Sequence, residues 1–172
     1  MEIKAELKYA IFDTSMGWVG ILGSERGLLG TTLPQSSSQE ILKLLGDKVN
    51  QATFDLGSFE DLVRRFRAYF EGHKATFPDG LDLFGATPFH RKVWEVTRLI
   101  PFGETRSYAW VAEQVGKPKA ARAVGQALAR NHWPIIVPCH RVLTSNGKLG
   151  GFGGGVGMKR YLLNLEAMAS IQ

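Results

Sequence analysis

The sequence contains little cysteine and no long apolar run. Cys139 is the only cysteine in 172 residues, so no internal disulfide can form, and this usage is typical of a reducing compartment. No apolar run approaches the ~20 residues that a membrane-spanning helix needs. Residues 1–10 do not have the pattern of a signal peptide. We therefore expect a cytoplasmic protein without a membrane partner.

Signatures of metal and nucleotide binding are also missing. A single cysteine cannot build a cysteine-rich zinc site, and the four histidines lack the spacing of metal ligands. The glycine-rich residues 150–155 lack the Lys-Ser/Thr ending of a phosphate-binding loop, and no dinucleotide-binding pattern surrounds them. They form either a mobile loop or a backbone that closes over a ligand through its N–H groups. We expect neither a metal nor another cofactor.

Acidic residues are scarce in the second half of the chain. Residues 86–172 contain 12 Lys and Arg against 4 Asp and Glu, a net charge of +8, whereas residues 1–85 contain 9 against 12, a net charge of −3. This asymmetry favours a C-terminal half that contacts a polyanion. A solvated basic face would have the same composition, so charge by itself does not decide between the two.

The first part of the chain predicts an α+β scaffold. Apolar runs at residues 8–12, 19–22 and 28–33 are separated by turn-forming residues, which is typical of antiparallel strands. The serines at positions 36–38 are placed to cap one helix, and Ser58 is placed to cap another. In that second helix the apolar residues recur at helical spacing: Phe59, Leu62, Val63, Phe66, Tyr69 and Phe70.

The pattern predicts three parts of the chain. Residues 1–80 form a structural domain, since they assemble no reactive group of residues. Residues 81–86 form a linker. Residues 87–172 form a mostly helical domain.

The helical part has the form of a helix-turn-helix. Thr87 is placed to cap a first helix, and Ser107 a short second one that ends at Gly116. Pro118 suits the first turn of a third helix, which we expect to run to about residue 130. Two such helices can simply pack together, but the basic character of this half favours DNA as the partner.

Cys139 lies in the segment Pro138-Cys139-His140-Arg141-Val142, directly after an apolar run. The thiolate is the nucleophilic form of cysteine, and a neighbouring base or cation lowers the thiol pKa, so we expect His140 to activate Cys139. The apolar run predicts that the thiol lines a largely dry pocket. A lone cysteine is more often a small buried core residue, and the Cys-His pair alone does not decide the matter.

The residues on both sides of Cys139 separate these interpretations. Before it come Ser107-Tyr108, the sequence Lys-Ala-Ala-Arg-Ala-Val-Gly at residues 119–125, and Asn131. After it come the glycine-rich run and a helical segment that ends in Glu166. In this order and spacing, residues 87–167 resemble the O6-alkylguanine-DNA alkyltransferase family. The first 80 residues match the family only in length and general pattern.

The resemblance implies a fold and a reaction. The fold is a ribonuclease-H-like domain without that enzyme's activity, followed by a winged-helix-like DNA-binding domain. The reaction transfers the alkyl group of O6-alkylguanine in double-stranded DNA to Cys139, after the base is rotated out through the minor groove. O4-alkylthymine is a further candidate substrate. Because the thioether product is not reversed, each molecule acts once. We expect a monomer in the nucleoid of a prokaryotic cell.

Four residues are candidates for the chemistry. The thiolate of Cys139 attacks the alkyl carbon in line, so a base and a proton donor are needed but an oxyanion hole is not. His140 is the candidate base, acting directly or through one water, and Glu166 orients it. By itself, Glu166 would be interpreted as an exposed surface carboxylate. Tyr108 is the candidate proton donor to the purine.

Six residues are candidates for holding the substrate. Asn131 matches the asparagine that ties the helix end to the active-site turn in the family; otherwise it is an ordinary helix C-cap. Pro134 matches a proline that faces the alkyl group. The remaining candidates contact the guanine: Leu128, the Val142 carbonyl, the Gly153 N–H and the neighbouring Phe152.

The second helix of the helix-turn-helix is the candidate DNA-binding surface. Its alanine and glycine residues leave it nearly bare, which suits the minor groove better than the reading of base edges. The resemblance implies that Arg122 enters the base stack in place of the displaced nucleotide; the alternative is an arginine that contacts a phosphate. The other DNA-binding candidates are Tyr108, Ala121, Gly125, Lys117 and Ser145.

The chain departs from the family pattern at two places. His132-Trp133 follows Asn131 where the family usually has a proline, which changes the local turn. Phe152-Gly153 stands where the family more often has a polar pair, so substrate preference cannot be transferred.

Two other functions use the same fold. A DNA lesion sensor of the alkyltransferase-like kind typically lacks the nucleophile, and Cys139 argues against it. A transcription regulator would not explain Cys139, Asn131 and Glu166 together.

Overall fold

The computed structural model describes residues 6–171, and the chain divides into two compact units between Leu83 and Phe84. In the described part, the first unit consists of a four-stranded sheet and two α-helices, and the second of four α-helices and a two-stranded sheet. The predicted α+β class is therefore confirmed. None of the helices within residues 6–171 is long and apolar enough to cross a membrane.

The sheet of the first unit is a meander with one added strand. Strands β1 (Lys8–Thr14), β2 (Gly17–Ser24) and β3 (Gly27–Thr31) are antiparallel neighbours, which confirms the prediction from the separated apolar runs. The two-residue strand β4 (Thr53–Phe54) lies parallel to β1, so the strand order is β3-β2-β1-β4. Successive residues of β2 are buried, which places this strand in the middle of the core.

Helix α1 (Ser38–Leu45) packs against β2. The Ser37 hydroxyl accepts a hydrogen bond from the Glu40 N–H at 3.2 Å, so the predicted serine cap is confirmed. Ile41 is the buried residue of this helix. A β-carbon at Gly20 of β2 would collide with the Ile41 side chain, so the glycine is what permits the close approach of helix and strand.

The predicted cap of helix α2 (Glu60–Phe70) is wrong. Ser58 lies in a short 3₁₀ turn, where its N–H and hydroxyl donate to the Asp55 carboxylate at 3.1 and 2.7 Å. The helix therefore begins after Phe59 without a side-chain cap. The predicted apolar face is otherwise confirmed, since the buried residues of α2 are Leu62, Val63, Phe66, Tyr69 and Phe70.

Residues 80–82 extend the sheet beyond β3. The Leu28 N–H donates to the Gly80 carbonyl at 2.9 Å, and the Asp82 N–H donates to the Leu28 carbonyl at 2.8 Å. The Ser24 hydroxyl donates to the Asp82 carboxylate at 2.6 Å. Leu81 and Asp82, which the sequence pattern assigns to a linker, thus belong to the first unit, because Leu28 of the edge strand bonds to the backbone on both sides of Leu81.

Three helices form the centre of the second unit: α3 (Pro88–Thr97), α4 (Tyr108–Gln114) and α5 (Ala121–Ala129), and each packs against the other two. The Thr87 hydroxyl accepts the His90 N–H at 3.1 Å, and the Ser107 hydroxyl accepts the Trp110 N–H at 2.9 Å. Both predicted caps are therefore confirmed.

The predicted start of α5 is wrong. Pro118 lies in a turn closed by a hydrogen bond from the Ala120 N–H to the Lys117 carbonyl at 2.9 Å, and α5 begins only at Ala121. The fixed φ of proline suits the second position of such a turn as well as the first turn of a helix. The sequence pattern alone does not distinguish the two.

The last helix, α6 (Val156–Ile171), contains two charged residues in its buried stripe. Lys159, Leu162 and Glu166 are its buried residues, and their spacing places them on one face. Tyr161 and Leu165 of the same helix are only partly buried. Strand β5 (Arg106–Ser107) pairs in parallel with β6 (Val142–Leu143). This pairing brings the start of α4 beside the segment that follows Cys139.

Candidate active site

Asn131 connects the end of α5 to the turn that contains Cys139. Its side-chain N–H donates to the Val137 carbonyl at 2.9 Å and to Cys139 Sγ at 3.2 Å. Its side-chain oxygen accepts the Trp133 N–H at 2.8 Å. Backbone bonds then close the turn, from the Val137 N–H to the Trp133 carbonyl and from the Cys139 N–H to the Val137 carbonyl. Hydrogen bonds of the turn itself therefore fix the position of the thiol.

One residue of this turn has a strained backbone. Ile135 has a φ of +76°, in the left-handed region that β-branched residues rarely occupy. Its side chain is buried together with those of Ile136 and Val137. Packing of the three apolar side chains holds the strained conformation, and strain of this kind concentrates at functional sites.

Cys139 carries a proton in the free protein at neutral pH. Burial raises the pKa of the thiol, and this effect outweighs the hydrogen bond from Asn131 and the positive charge of Lys159, which lower it. The neighbouring groups therefore lower this pKa as expected, but burial outweighs them and the net shift is upward. The physical reason is the cost of transferring a thiolate from water into apolar surroundings.

His140 belongs to a buried charged network. Its Nε2 lies 2.5 Å from Glu166 Oε2, and Glu166 Oε1 accepts hydrogen bonds from Arg141 Nε at 2.8 Å and from the Gly103 N–H at 3.1 Å. Arg141 also donates to the Ile100 carbonyl at 2.9 Å. Glu166 is only 1% exposed, so it is not the surface carboxylate that its isolated sequence position suggests.

The network sets the charges of its members. Burial opposes ionisation of Glu166, but the hydrogen bonds and charges of His140 and Arg141 outweigh it and hold the pKa of the carboxyl at about 2. Burial lowers the pKa of His140 against the opposing effect of Glu166, which leaves the imidazole neutral at neutral pH. A carboxylate accepts and cannot donate, so the proton of the neutral ring lies on Nε2 and the basic nitrogen is Nδ1.

Lys159 is a completely buried lysine next to the thiol. Its ammonium donates to the Val142 carbonyl at 2.7 Å and to the Gly151 carbonyl at 3.3 Å, and lies 5.7 Å from the centre of the Tyr108 ring. Burial lowers the pKa of this ammonium, and a thiolate at Cys139 would oppose that effect. The side chain therefore joins β6 to the glycine-rich loop and places a positive charge near Cys139.

Tyr108, the first residue of α4, lies against glycine backbone on two sides. A β-carbon at Gly150 would lie 3.2 Å from the tyrosine hydroxyl, and one at Gly125 would lie 3.8 Å from its ring. Gly150 also has a φ of +70°, which a side chain would disfavour. Burial raises the pKa of the phenol, and a thiolate at Cys139 would raise it further. Tyr108 is therefore a protonated hydroxyl beside the thiol.

The other candidates for holding the substrate differ in accessibility. Pro134 and Phe152 are partly buried and Gly153 is exposed, so all three offer surface to a ligand. Leu128 is 7% exposed and Val142 is completely buried, so both side chains belong to the core of the free protein. The Val142 carbonyl already accepts the Lys159 ammonium. Within residues 6–171, no group of three or more His, Cys, Asp or Glu side chains is placed to hold a metal ion.

The DNA-binding candidates lie at the start of α4, on α5, in the segment between these helices, and in the turn that follows β6. Arg122 is exposed in the first turn of α5, and Ala121 and Gly125 are partly buried. The Lys117 ammonium lies 5.5 Å from the centre of the Phe89 ring. Ser145 is exposed in the turn that follows β6. The structure thus presents one arginine from a helix surface made mostly of small residues.

Comparison with known proteins identifies the family. Residues 88–168 match the model of the 6-O-methylguanine DNA methyltransferase DNA-binding domain. The constitutive methylated-DNA–protein-cysteine methyltransferase of Bacillus subtilis is 49% identical over 162 residues, which cover 94% of this chain and 96% of that protein. The Methanosarcina acetivorans protein of the same name is 39% identical over 158 residues, covering 92% and 97%. This chain belongs to the methylated-DNA–protein-cysteine methyltransferase family.

Solved structures of the methyltransferases extend the match to the fold. The crystal structure of Mycobacterium tuberculosis O6-methylguanine methyltransferase is 40% identical and covers 95% of this chain and 94% of its own, with a TM-score of 0.77. The structure of Mycobacterium tuberculosis OGT in complex with DNA is 41% identical with a TM-score of 0.78, and 94% of each chain is covered. The α+β architecture is therefore that of known methyltransferases.

Two residues of this methyltransferase's site are missing from the sequence-based assignment, namely Lys159 and Arg141. Both are charged and both are buried. For Lys159 the sequence does contain a signal, because it lies three residues before Leu162 and seven before Glu166, in the same helical stripe. For Arg141 there is none, since its partner Ile100 lies 41 positions earlier in the chain.

Proposed function

We propose that this chain repairs DNA by direct reversal, transferring the alkyl group of O6-alkylguanine to Sγ of Cys139. The observation that carries the proposal is the position of the thiol, which Asn131 holds by a hydrogen bond while its neighbour His140 is held by the buried Glu166. In the reaction the alkyl carbon–O6 bond breaks and a carbon–sulfur bond forms. The thiol proton leaves Sγ, and the displaced guanine takes up a proton.

The thiol must lose its proton when the substrate is bound. The basic Nδ1 of His140 is the acceptor, directly or through one water, and Glu166 fixes the tautomer that makes Nδ1 basic. The resulting imidazolium is stabilised by the carboxylate. Lys159 stabilises the thiolate as it forms, since its charge lowers the pKa of Cys139. Because the pKa of the thiol is raised in the free protein, we expect Cys139 to lose its proton only when the alkylated base is bound.

The leaving guanine needs a proton donor. Tyr108 retains its proton because burial raises its pKa, and its hydroxyl lies beside Gly150 in the glycine-rich loop. We assign it the donor role. The Val142 carbonyl and the Gly153 N–H would bind the guanine edge, with Pro134 and Phe152 beside the alkyl group and Leu128 beneath the base. The thioether product has no reversing group, so each molecule acts once and needs no cofactor.

The alkylated base has to leave the DNA duplex to reach Cys139, at a cost of a few kcal/mol. We assign to Arg122 the filling of the vacated stack, because it is exposed on a helix whose neighbouring residues, Ala121 and Gly125, permit close approach to the minor groove. Lys117 and Ser145 would contact phosphates on either side. The second unit then acts as a winged-helix-like DNA-binding domain, and the first as a ribonuclease-H-like scaffold.

Intact-mass measurement after incubation with a duplex that contains O6-methylguanine tests the function. We expect the mass to rise by one methyl group per molecule, and no further when more duplex is added. Cys139→Ala should take up no methyl group while still binding the modified duplex. Repeated turnover, or a methyl group on another residue, would contradict the mechanism. Binding without transfer by the unaltered protein would instead favour a lesion sensor.

A further inference from the structure

Trp133 joins three elements around the active-site turn. Its indole is 2% exposed and packs edge-on against Trp94 of α3, with ring centres 5.2 Å apart and planes at 75°. The Trp94 indole N–H in turn donates to the Ala127 carbonyl of α5 at 2.9 Å. The tryptophan pair therefore ties α3 and the end of α5 to the turn that begins after Asn131.

The backbone of Trp133 holds Asn131 in one orientation. Its N–H donates to the Asn131 side-chain oxygen, and its carbonyl accepts the Val137 N–H. A side-chain amide is planar, so fixing its oxygen also fixes the direction of its N–H groups. These are the groups that donate to the Val137 carbonyl and to Cys139 Sγ. Displacement of Trp133 would therefore be transmitted to the sulfur through the Asn131 side chain.

The turn also needs support from outside itself. Ile135 adopts a left-handed backbone, which is strained and persists only where the surroundings determine it. Trp133 lies two residues before it and is anchored to two helices. An anchored aromatic side chain at the start of the strained turn adds to the packing of Ile135, Ile136 and Val137 that holds it.

We propose that Trp133 is a positioning residue for the alkyl transfer: the buried Trp133–Trp94 pair holds Asn131 in the orientation that places Cys139 Sγ. This inference rests on the proposed function. It predicts that Trp133 acts through Asn131 and not independently of it.

A double-mutant cycle tests the dependence on Asn131. Single-turnover transfer from the free base O6-benzylguanine is measured for Trp133→Leu, Asn131→Ala and the double variant, which removes DNA binding from the comparison. Displacements of ~1 Å at a reacting group cost up to about a hundredfold, and we expect Trp133→Leu to slow transfer at least tenfold. When Asn131 is already alanine, Trp133→Leu should alter the transfer rate by less than about twofold, because the effects of substitutions at coupled residues do not add.

The pH dependence of Cys139 modification by iodoacetamide supplies a second readout, which does not require the proposed function. Lys159 from α6, Tyr108 from α4 and the neighbouring His140 also face the thiol, and none of these groups is altered. Because the Asn131 hydrogen bond lowers the thiol pKa, Trp133→Leu should move the midpoint upward. Asn131→Ala should do the same, and the double variant should move it no further.

Further variants complete the test. Trp133→Phe retains an aromatic ring against Trp94 and should restore most of the rate. If Trp133→Leu fails to fold, Trp94→Phe, which loses the indole N–H bond to the Ala127 carbonyl, carries the same cycle. Trp18→Leu makes the same change in the first unit and should leave the rate unaltered. Equal slowing by Trp133→Leu in both backgrounds, or an unaltered rate and midpoint, would overturn the proposal. Absence of transfer in the unaltered protein would refute the proposed function, and the iodoacetamide cycle would then decide the positioning role.

Discussion

Replacement of Glu166 by glutamine is the sharpest test of the buried network. Three N–H donors converge on this carboxylate, with Arg141 and Gly103 at Oε1 and His140 at Oε2. Glutamine has the same shape but only one accepting oxygen. That oxygen best replaces Oε1, where it can still accept from both Arg141 and Gly103. The glutamine NH₂ group then faces His140 Nε2.

This arrangement reverses the tautomer of His140. A donor opposite Nε2 requires Nε2 to accept, so the proton of the neutral ring moves to Nδ1, and Nδ1 can no longer take the thiol proton. Loss of a general base costs about 10²–10⁴ in rate, and in a serine protease the comparable Asp-to-Asn change costs ~10⁴. We therefore expect transfer from O6-benzylguanine to slow by at least a hundredfold in Glu166→Gln.

The same substitution should destabilise the fold. Arg141 is 7% exposed and would lose its anionic partner, and removing one member of a buried ion pair costs about 3–5 kcal/mol. Stability is measured by urea unfolding of both proteins at pH 7. Glu95→Gln, an exposed position on α3, is the matched control and should change stability by less than ~0.5 kcal/mol.

A slower transfer by Glu166→Gln could come from unfolding or from loss of the base, so the transfer rate and the free energy of unfolding are measured separately. The transfer rate is measured without urea, at a temperature at which circular dichroism shows that the variant is folded. A folded Glu166→Gln that transfers within about twofold of the unaltered rate would refute the role of His140 as base. A variant with unchanged stability would refute the buried ion pair.

Three other predictions follow from the remaining charges. Arg122→Ala should slow transfer from a modified duplex far more than transfer from free O6-benzylguanine, because only the duplex requires base flipping. Comparable slowing with both substrates would mean that Arg122 supports the fold and not the flipped state. Lys159→Met removes the hydrogen bonds to Val142 and Gly151 together with the charge beside Cys139. Transfer from the free base should slow at least tenfold, a bound set below the ~10²–10³ that loss of one stabilising group at the reacting charge costs. Arg160→Met changes an exposed neighbour and is the control; equal rates in the two variants would contradict the role of Lys159. The Glu166 carboxyl has a pKa of about 2 against an ordinary 4.5, so its contribution to stability is present above pH 4.5 and is lost as the pH falls towards 2. This lowering of the Glu166 pKa corresponds to about 3 kcal/mol of stability. Urea unfolding as a function of pH should show that loss of unfolding free energy in the unaltered protein but not in Glu166→Gln.

The local features of the fold could be predicted from the sequence because they depend on neighbouring residues. The caps at Thr87 and Ser107 and the apolar face of α2 each involve side chains within one or two turns of one another. Ser58 and Pro118 show the limit of such patterns. Both residues have two local uses of similar energy, and the competing partner, Asp55 for Ser58 and the turn at Lys117 for Pro118, determined which was adopted.

The sequence by itself also determined the family and the nucleophile, because the resemblance depends on the order and spacing of residues around Cys139. What only the tertiary structure decided is the charge state of the site. The thiol pKa depends on burial, and the positions of Lys159 and Arg141 depend on carbonyl groups 17 and 41 residues away. Desolvation and long-range hydrogen bonds are properties of the packed chain, so no local pattern reports that two cations and a carboxylate lie inside the protein beside a protonated cysteine.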